Sequence, residues 1–461
     1  MVSLSARVER VKDDPALLID PHVVARACLA AGHRGRKRCL DATATLTAFA
    51  TQIAHGNTAI SHVKRLMGQT FSESAYCQAR SRLPLRVVQD VFDEFTSRLL
   101  TTLEPTGPTS SLDGRWCGLR PVLIDGTGIV MPDTPALREF FGTSHVYADG
   151  CGLPLANVLM TFDARTDVVT CTHAAPAQTG DLKHVHELHP SLKQGDVLVG
   201  DRAFCSYVHL AMLSEAGIHG VFRMSGSRDM PFPASTGERT RHSYNRHRCQ
   251  EPRLVTMIGK DDQVVEIVKP HNRPKHIDAE AFAKIPSTMT VRVVRYSVEQ
   301  PGWRTHEITL MTDLLDAAKY SAADLAALYL SRWRIEVNFR HLKRTLGMER
   351  LKCQSLDGVK RELLMFALVY NAVCVVRSRA ATAQNAALQR VSFVDALRWL
   401  LGETQDGAIV LRDPGEIKLW PLRPPRSHPR KLKRGGSQFP IMNTPRHQPA
   451  TPQPATAKLA N

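Results

Sequence analysis

Four residues with the chemistry to grip and cut a phosphodiester recur at fixed spacing in one stretch, Tyr329-x2-Arg332-x3-Glu336-x6-Lys343, inside ALYLSRWRIEVNFRHLKRTLG. On a continuous α-helix at about 100° per residue, the four fall within about 60° of arc. Leu328, Ile335, Phe339, Leu342 and Leu346 would fill an adjacent apolar face. One carboxylate, two cations and a phenol would then project together from a helix anchored in a core. A metal-binding acid flanked by phosphate-binding groups needs this arrangement.

Two further acids could complete such a site. Asp125 follows Val122-Leu123-Ile124 and precedes Gly126, so it reads as a carboxylate on a buried strand, with the glycine leaving room for a ligand. Asp201 follows Val197-Leu198-Val199-Gly200 and would end a second buried strand. Either aspartate alone reads more readily as a turn residue. With Glu336 they give three carboxylates, a hard-cation site with oxygen ligands. The chemistry such a site suits is phosphodiester cleavage, in which two divalent ions about 3.5–4 Å apart clamp the attacking and leaving oxygens. Arg332 and Lys343 would hold neighbouring phosphates, the arginine in a bidentate manner. The competing acids Asp113, Asp133 and Asp196 sit in a linker, a Pro-flanked turn and a strand start, and read as turn chemistry.

Other constellations are weaker. His184, His186 and His189 lie on a stretch read as helical, where positions two apart face different ways, so zinc binding there is disfavoured. The sequence has no G-x-S-x-G, no Walker lysine loop and no paired glycine fingerprint, which removes serine hydrolase, NTPase and dinucleotide readings. Trp303, beside Arg304, could stack on an unpaired base, although a hairpin tryptophan packed on its sheet is the plainer reading.

The elements that must position these residues follow from periodicity. Residues 1–110 read as helical, and FSESAYCQARSRLP offers Ser72 or Ser74 as a helix start. That helix would expose Gln78, Arg80 and Arg82 to a groove of DNA, or simply to solvent. A Pro/Gly/Ser linker at 104–114 precedes β-rich segments, then alternating helix and strand, which point to a mixed sheet covered by helices over 115–224 and 316–405. Residues 225–315 break the alternation with antiparallel-type strands and read as a β-rich insertion. The gaps agree: 76 positions separate Asp125 from Asp201, but 135 separate Asp201 from Glu336. The tail, 406–461, is basic and Pro-rich, and Arg430, Lys431, Lys433 and Arg434 would touch a nucleic-acid backbone from a disordered or extended arm.

Composition sets the partner class. The chain has 461 residues and a formal net charge of +16, spread rather than concentrated in one tract, as suits an extended polyanion. Ten cysteines show no CxxC or zinc-ligand spacing, so reduced, mostly buried thiols are expected. The longest apolar run, LLMFALVYNAVCVV, is too short to span a membrane and contains Asn371. A cytoplasmic, nucleoid-associated protein without a membrane partner is expected.

VLIDGTG, VLVGDRAF and the Tyr329/Arg332/Glu336/Lys343 spacing resemble the DDE transposases of bacterial insertion sequences, specifically the IS4 group with its Tyr-Arg-Glu-Lys motif. FSESAYCQARSRLP, MFALVYNAV and PRSHPRKLKRGGSQFPIM resemble that group's DNA-binding segment, post-motif helix and basic tail. The resemblance implies an α/β, RNase H-like mixed sheet with flanking helices, interrupted by the β-rich insertion, plus an all-α N-terminal DNA-binding domain. It implies a cut-and-paste enzyme in which Asp125, Asp201 and Glu336 bind two Mg2+ (or Mn2+) ions. Terminal inverted repeats and target DNA would be its double-stranded partners. Joining of 3′-OH ends would proceed through a hairpin, and cutting two ends together implies a homodimer on DNA. The alternatives are a catalytically silent repressor derived from such an enzyme, and a nuclease that cuts without joining.

Overall fold

Short polar residues ahead of apolar runs set the helix starts in the N-terminal region. Asp20 and Asp41 accept backbone N–H groups at the starts of α1 (Pro21–Ala30) and α2 (Ala42–Ala54). Then come α3 (Ile60–Met67), stopped by left-handed Gly68, α4 (Glu73–Arg82), and α5 (Leu85–Thr102) directly after Pro84. Of the two serines ahead of α4 it is Ser72 that caps, through the N–H of Ala75. In this computed structural model the described residues are 19–34, 39–68, 71–103, 115–144, 151–225, 232–234, 252–298, 306–405, 408–410 and 413–421. Trp303 and the tail cations Arg430, Lys431, Lys433 and Arg434 lie outside them, as does Asp113.

The sheet begins with an antiparallel meander, β1 (Arg120–Val130), β2 (Leu155–Asp163) and β3 (Val169–Pro176), with α6 (Pro135–Phe141) between the first two strands. β4 (Asp196–Gly200) lies parallel to β1, and α7 (Tyr207–Glu215) crosses over to β5 (His219–Arg223), parallel to β4. The order β3-β2-β1-β4-β5 is that of an RNase H-like sheet. Next come β6 (Arg253–Gly259), β7 (Asp262–Val268), α8 (Ala279–Lys284), β8 (Thr288–Val298) and β9 (His306–Thr312). These inserted strands do not form a separate layer. β9 pairs antiparallel with β5, and β8, β7 and β6 follow, so a single nine-stranded sheet runs from β3 to β6. Arg292 of β8, fully buried, ties the insertion to the chain ahead of the next helix by gripping Asp262 at 2.9 and 2.6 Å and the carbonyl of Tyr320.

Alternation along β1 and β4 sorts the core onto two faces. Val122, Ile124 and Leu198 face α7 and the short 3-10 turns Asp181–Lys183 and Val185–Ser191. Leu123 and Val199 face α9 (Ala322–Ser331), α10 (Arg334–Arg340) and α11 (Leu356–Ala383), followed in sequence by α12 (Phe393–Leu401). Helix α11 lies between β3 and the N-terminal helices α2 and α5, so the N-terminal helices share the main hydrophobic core. A buried polar chain crosses the same seam. Tyr76 and Arg80 of α4 donate to Gln52, Gln52 and Asn57 are bonded, and Asn57 donates to Glu362 of α11, which also accepts the N–H groups of Lys352 and Cys353. Among the described residues no helix is long and apolar enough to cross a membrane.

Candidate active site

Parallel pairing of β1 with β4 places Leu123 opposite Val199. Two residues further along each strand come Asp125, where β1 outlasts its neighbour, and Asp201, immediately after β4 ends. The two aspartates thus stand at adjacent positions on the face that carries α9 and α10. Their proximity is felt electrostatically. Burial pushes the Asp125 carboxyl up to about 6, against the N–H of Gly126 and the Arg332 guanidinium, and Asp201 and Asp181 push it the same way. Asp125 Oδ1 accepts the N–H of Gly126 at 2.8 Å, and Asp201 Oδ1 accepts that of Ala203 at 2.8 Å.

The space at Gly126 differs from the sequence expectation. A Cβ there would lie 3.0 Å from Asp181 Oδ1 and 3.0 Å from Leu159, on the sheet face opposite Asp125. Protein fills this room, because the Asn157 amide holds the Asp181 carboxylate in it. Asp181 carried no signal in the sequence, since it opens a turn after β3 and only the fold brings it beside β1.

The stretch from Tyr329 to Lys343 is not one helix. After α9 the chain tightens, with Arg332 N–H bonded to the Tyr329 carbonyl and Trp333 N–H to that of Leu330. After α10 it widens into a π-turn, His341–Thr345, where the Leu346 N–H reaches the His341 carbonyl. Tyr329 is buried and Arg332 nearly so, whereas Glu336 is exposed and Lys343 half-buried. Arg332 Nη1 meets Asp125 Oδ2 at 3.3 Å, and its guanidinium lies 5.6 Å from the Tyr329 ring centre and 5.4 Å from that of Trp333. Burial raises the Tyr329 phenol, opposed by Arg332 and Arg223, and burial lowers the Lys343 ammonium. Arg223 of β5 and Tyr296 of β8, whose buried hydroxyl has no hydrogen-bond partner among the described residues, thus join the same wall. Neither had a motif to announce it.

The donor set suits a hard divalent cation, being carboxylate oxygens with no thiolate or imidazole among them. Among the described residues no three acidic, histidine or cysteine side chains already converge on one point, and Arg332 neutralises Asp125 instead. Asp133 and Asp196 are committed elsewhere, to Arg138 and Arg120. His184 lies between the two 3-10 turns and His186 and His189 on the second, none of them on an α-helix.

On α4, Arg82 is exposed and takes part in a ladder with Gln78 and Ser74. Arg80 points the other way. Its guanidinium lies 4.6 Å from the Phe49 ring centre and 4.9 Å from that of Tyr76, and donates to Gln52 at 3.1 Å. The expected groove-facing role for Arg80 therefore gives way to an inward one, because its side chain closes the apolar seam between α2 and α4.

The profile of the family described as Transposase DDE domain matches residues 116–372. Two curated relatives come from Escherichia coli strain K12. One, "Transposase InsG for insertion sequence element IS4", is 24% identical over 303 residues, covering 65% of this chain and 60% of that protein. The other, "Putative transposase InsZ", is 23% identical over 147 residues, covering 32% of this chain and 47% of that protein. The chain thus spans less than two thirds of the length of either relative. Among solved structures, a piggyBac transposase synaptic complex with hairpin DNA aligns with a TM-score of 0.41 and 11% identity, covering 87% of this chain and 80% of that one.

Proposed function

Because the chain belongs to the DDE transposase family, and within it to the IS4 group, we propose that it is the cut-and-paste transposase of an insertion sequence. In this reading it binds terminal inverted repeats, cleaves the element's ends to leave 3′-OH groups, and joins those ends to target DNA. The observation that carries it is the placement of Asp125 and Asp201 at adjacent positions along β1 and just beyond β4, on the sheet face against which α9 and α10 pack.

Asp125, Asp201 and Glu336 would hold divalent cations, Mg2+ or Mn2+, two in number. When bound, such ions stabilise charge on the attacking and leaving oxygens of an in-line displacement. The protein's own residues have separate tasks. Arg332 pairs with Asp125 in the free protein and would exchange that partner for a phosphate. Lys343 on the π-turn and Tyr329 beneath Arg332 would contact the backbone of the cleaved end. Arg82, Gln78 and Ser74 form the exposed face of α4 that would meet duplex DNA. Trp303 and the four tail cations would add a base-stacking contact and backbone contacts. By family analogy the freed 3′-OH attacks the opposite strand to form a hairpin, and a homodimer handles two ends together.

The test is incubation of the purified chain with the element's own ends and Mg2+, resolved on a denaturing gel, with a target plasmid present. Nicked ends, hairpins and joined products support the reading. Binding without cleavage would mark a repressor, and cleavage without joining a nuclease.

A further inference from the structure

Beneath the helix that carries Glu336 lies a buried ion cluster that no motif announces. Asp167 sits in the turn between β2 and β3 with φ of 61°, a left-handed conformation uncommon outside glycine, and only 3% of its surface is exposed. Its Oδ1 accepts from Arg334 Nη2 at 2.8 Å and from Asn338 Nδ2 at 3.3 Å, both on α10. Its Oδ2 accepts from Arg377 Nη1 of α11 at 3.3 Å. Arg334 also donates to the Ala164 carbonyl of the same turn, and Arg377 to that of Leu388. Burial would raise this carboxyl, but Arg334 and Arg377 overcome it and hold it below the usual range.

Helix geometry gives the cluster its meaning. Arg334 and Asn338 are four residues apart, so they project about 40° from one another, whereas Glu336 lies about 160–200° from both. The two contacts face inward as Glu336 faces outward. Helix α10 has only seven residues, too few to hold its own orientation, and it is bounded by a tightened turn and a π-turn. A bond from one carboxylate oxygen to two successive turns therefore fixes the azimuth at which Glu336 is presented.

We propose that Asp167 is a positioning residue for Glu336, acting through Arg334 and Asn338; this rests on the proposed role of Glu336 in holding a divalent cation. A merely structural cluster at the same end of the sheet supplies the control. Asp163 is fully buried, and its carboxylate is bonded to Arg165 at 3.0 Å, with Arg120 at 3.8 Å. Its other partners are the N–H groups of Arg165 and Thr166, so this carboxylate serves its own turn and strand rather than α10.

The experiment compares wild type, Asp167→Asn and Asp163→Asn for thermal midpoint, affinity for end DNA, single-turnover cleavage, and Mn2+ binding to the DNA complex followed by electron paramagnetic resonance. Asp167→Asn should keep DNA affinity within about two-fold while cleavage falls about 10–100-fold, the scale of a small misplacement of a reacting group. Its half-saturating Mn2+ concentration should rise several-fold. Asp163→Asn should lower the midpoint without changing cleavage or Mn2+ binding in the surviving folded protein. Wild-type cleavage and Mn2+ binding in Asp167→Asn would overturn the proposal, as would equal losses in Asp163→Asn. If Asp167→Asn does not fold, Arg334→Met and Asn338→Leu are measured in the same way, and wild-type cleavage and Mn2+ binding in both would overturn it. A wild-type protein that neither cleaves nor binds Mn2+ would instead overturn the functional reading beneath it.

Discussion

Replacing Asn371 by leucine should destabilise the protein by about 3–5 kcal/mol, through the loss of three buried hydrogen bonds. Asn371 is fully buried in α11, in the middle of its most apolar run. Its side-chain oxygen accepts the Val169 N–H at 2.8 Å, and its amide donates to the Val169 carbonyl at 2.9 Å and to Thr96 Oγ1 at 3.2 Å. Val169 begins β3, the edge strand, beside a register shift in its pairing with β2. One side chain thus satisfies both backbone groups of an edge residue that water cannot reach. Leucine keeps the branched outline of asparagine but is larger, so the change leaves no cavity. It leaves two backbone groups and one hydroxyl without partners, at about 1–3 kcal/mol for each unsatisfied buried group, reduced where relaxation finds a substitute. At roughly 2–4 °C per kcal/mol in chains of 150–250 residues, and less in a longer one, the midpoint should fall by about 5–10 °C. Differential scanning fluorimetry at fixed protein concentration, with urea unfolding as a second probe, measures it. A midpoint within about 1 °C of wild type would show that Asn371 does not close this edge.

Two further predictions concern charge. Arg82→Ala should weaken end-DNA binding several-fold and reduce the salt slope by about one, whereas Arg80→Met should spare both and lower stability by about 1–2 kcal/mol. Fluorescence anisotropy across a salt series, with a thermal melt, separates the two; a binding loss in Arg80→Met with an unchanged melt would reverse the assignment. Burial pushes His189 and His341 down to about 4 and His209 to about 3, so each stays neutral in the folded chain. The unfolded chain takes up those protons below about pH 6.5, so stability should fall as pH drops from about 6.5 toward 4, with each histidine adding at most about 1.4 kcal/mol per pH unit. Urea midpoints that stay flat between about pH 7 and 5 would contradict this.

Some of this architecture was legible because it rests on local rules. A buried run ending in an acid, twice, put Asp125 on one strand and Asp201 at the end of a second, and the Ser72/Ser74 pair marked the start of α4, which Ser72 caps. The break in the Tyr329–Lys343 stretch was not legible, since no glycine or proline interrupts it before Gly347. The tightened turn lies where Arg332 reaches Asp125, a partner 207 positions away. Arg80 reads like Arg82 by residue type and helix position, and only the Phe49 and Tyr76 rings distinguish them. Antiparallel periodicity marked the insertion strands without saying which edge would receive them, and that edge is β5. Asp167 has no motif around it to mark it, because its three partners come from two helices more than 160 positions on.

Whether Glu336 completes the site proposed for Asp125 and Asp201 is decided by Mg2+-dependent cleavage of pre-bound end DNA by Glu336→Gln, measured in a single turnover beside wild type. End binding should be unchanged and cleavage lost by at least about 1000-fold, in keeping with removal of a group that acts on the reacting phosphate. Cleavage by the variant at the wild-type rate would remove Glu336 from the site.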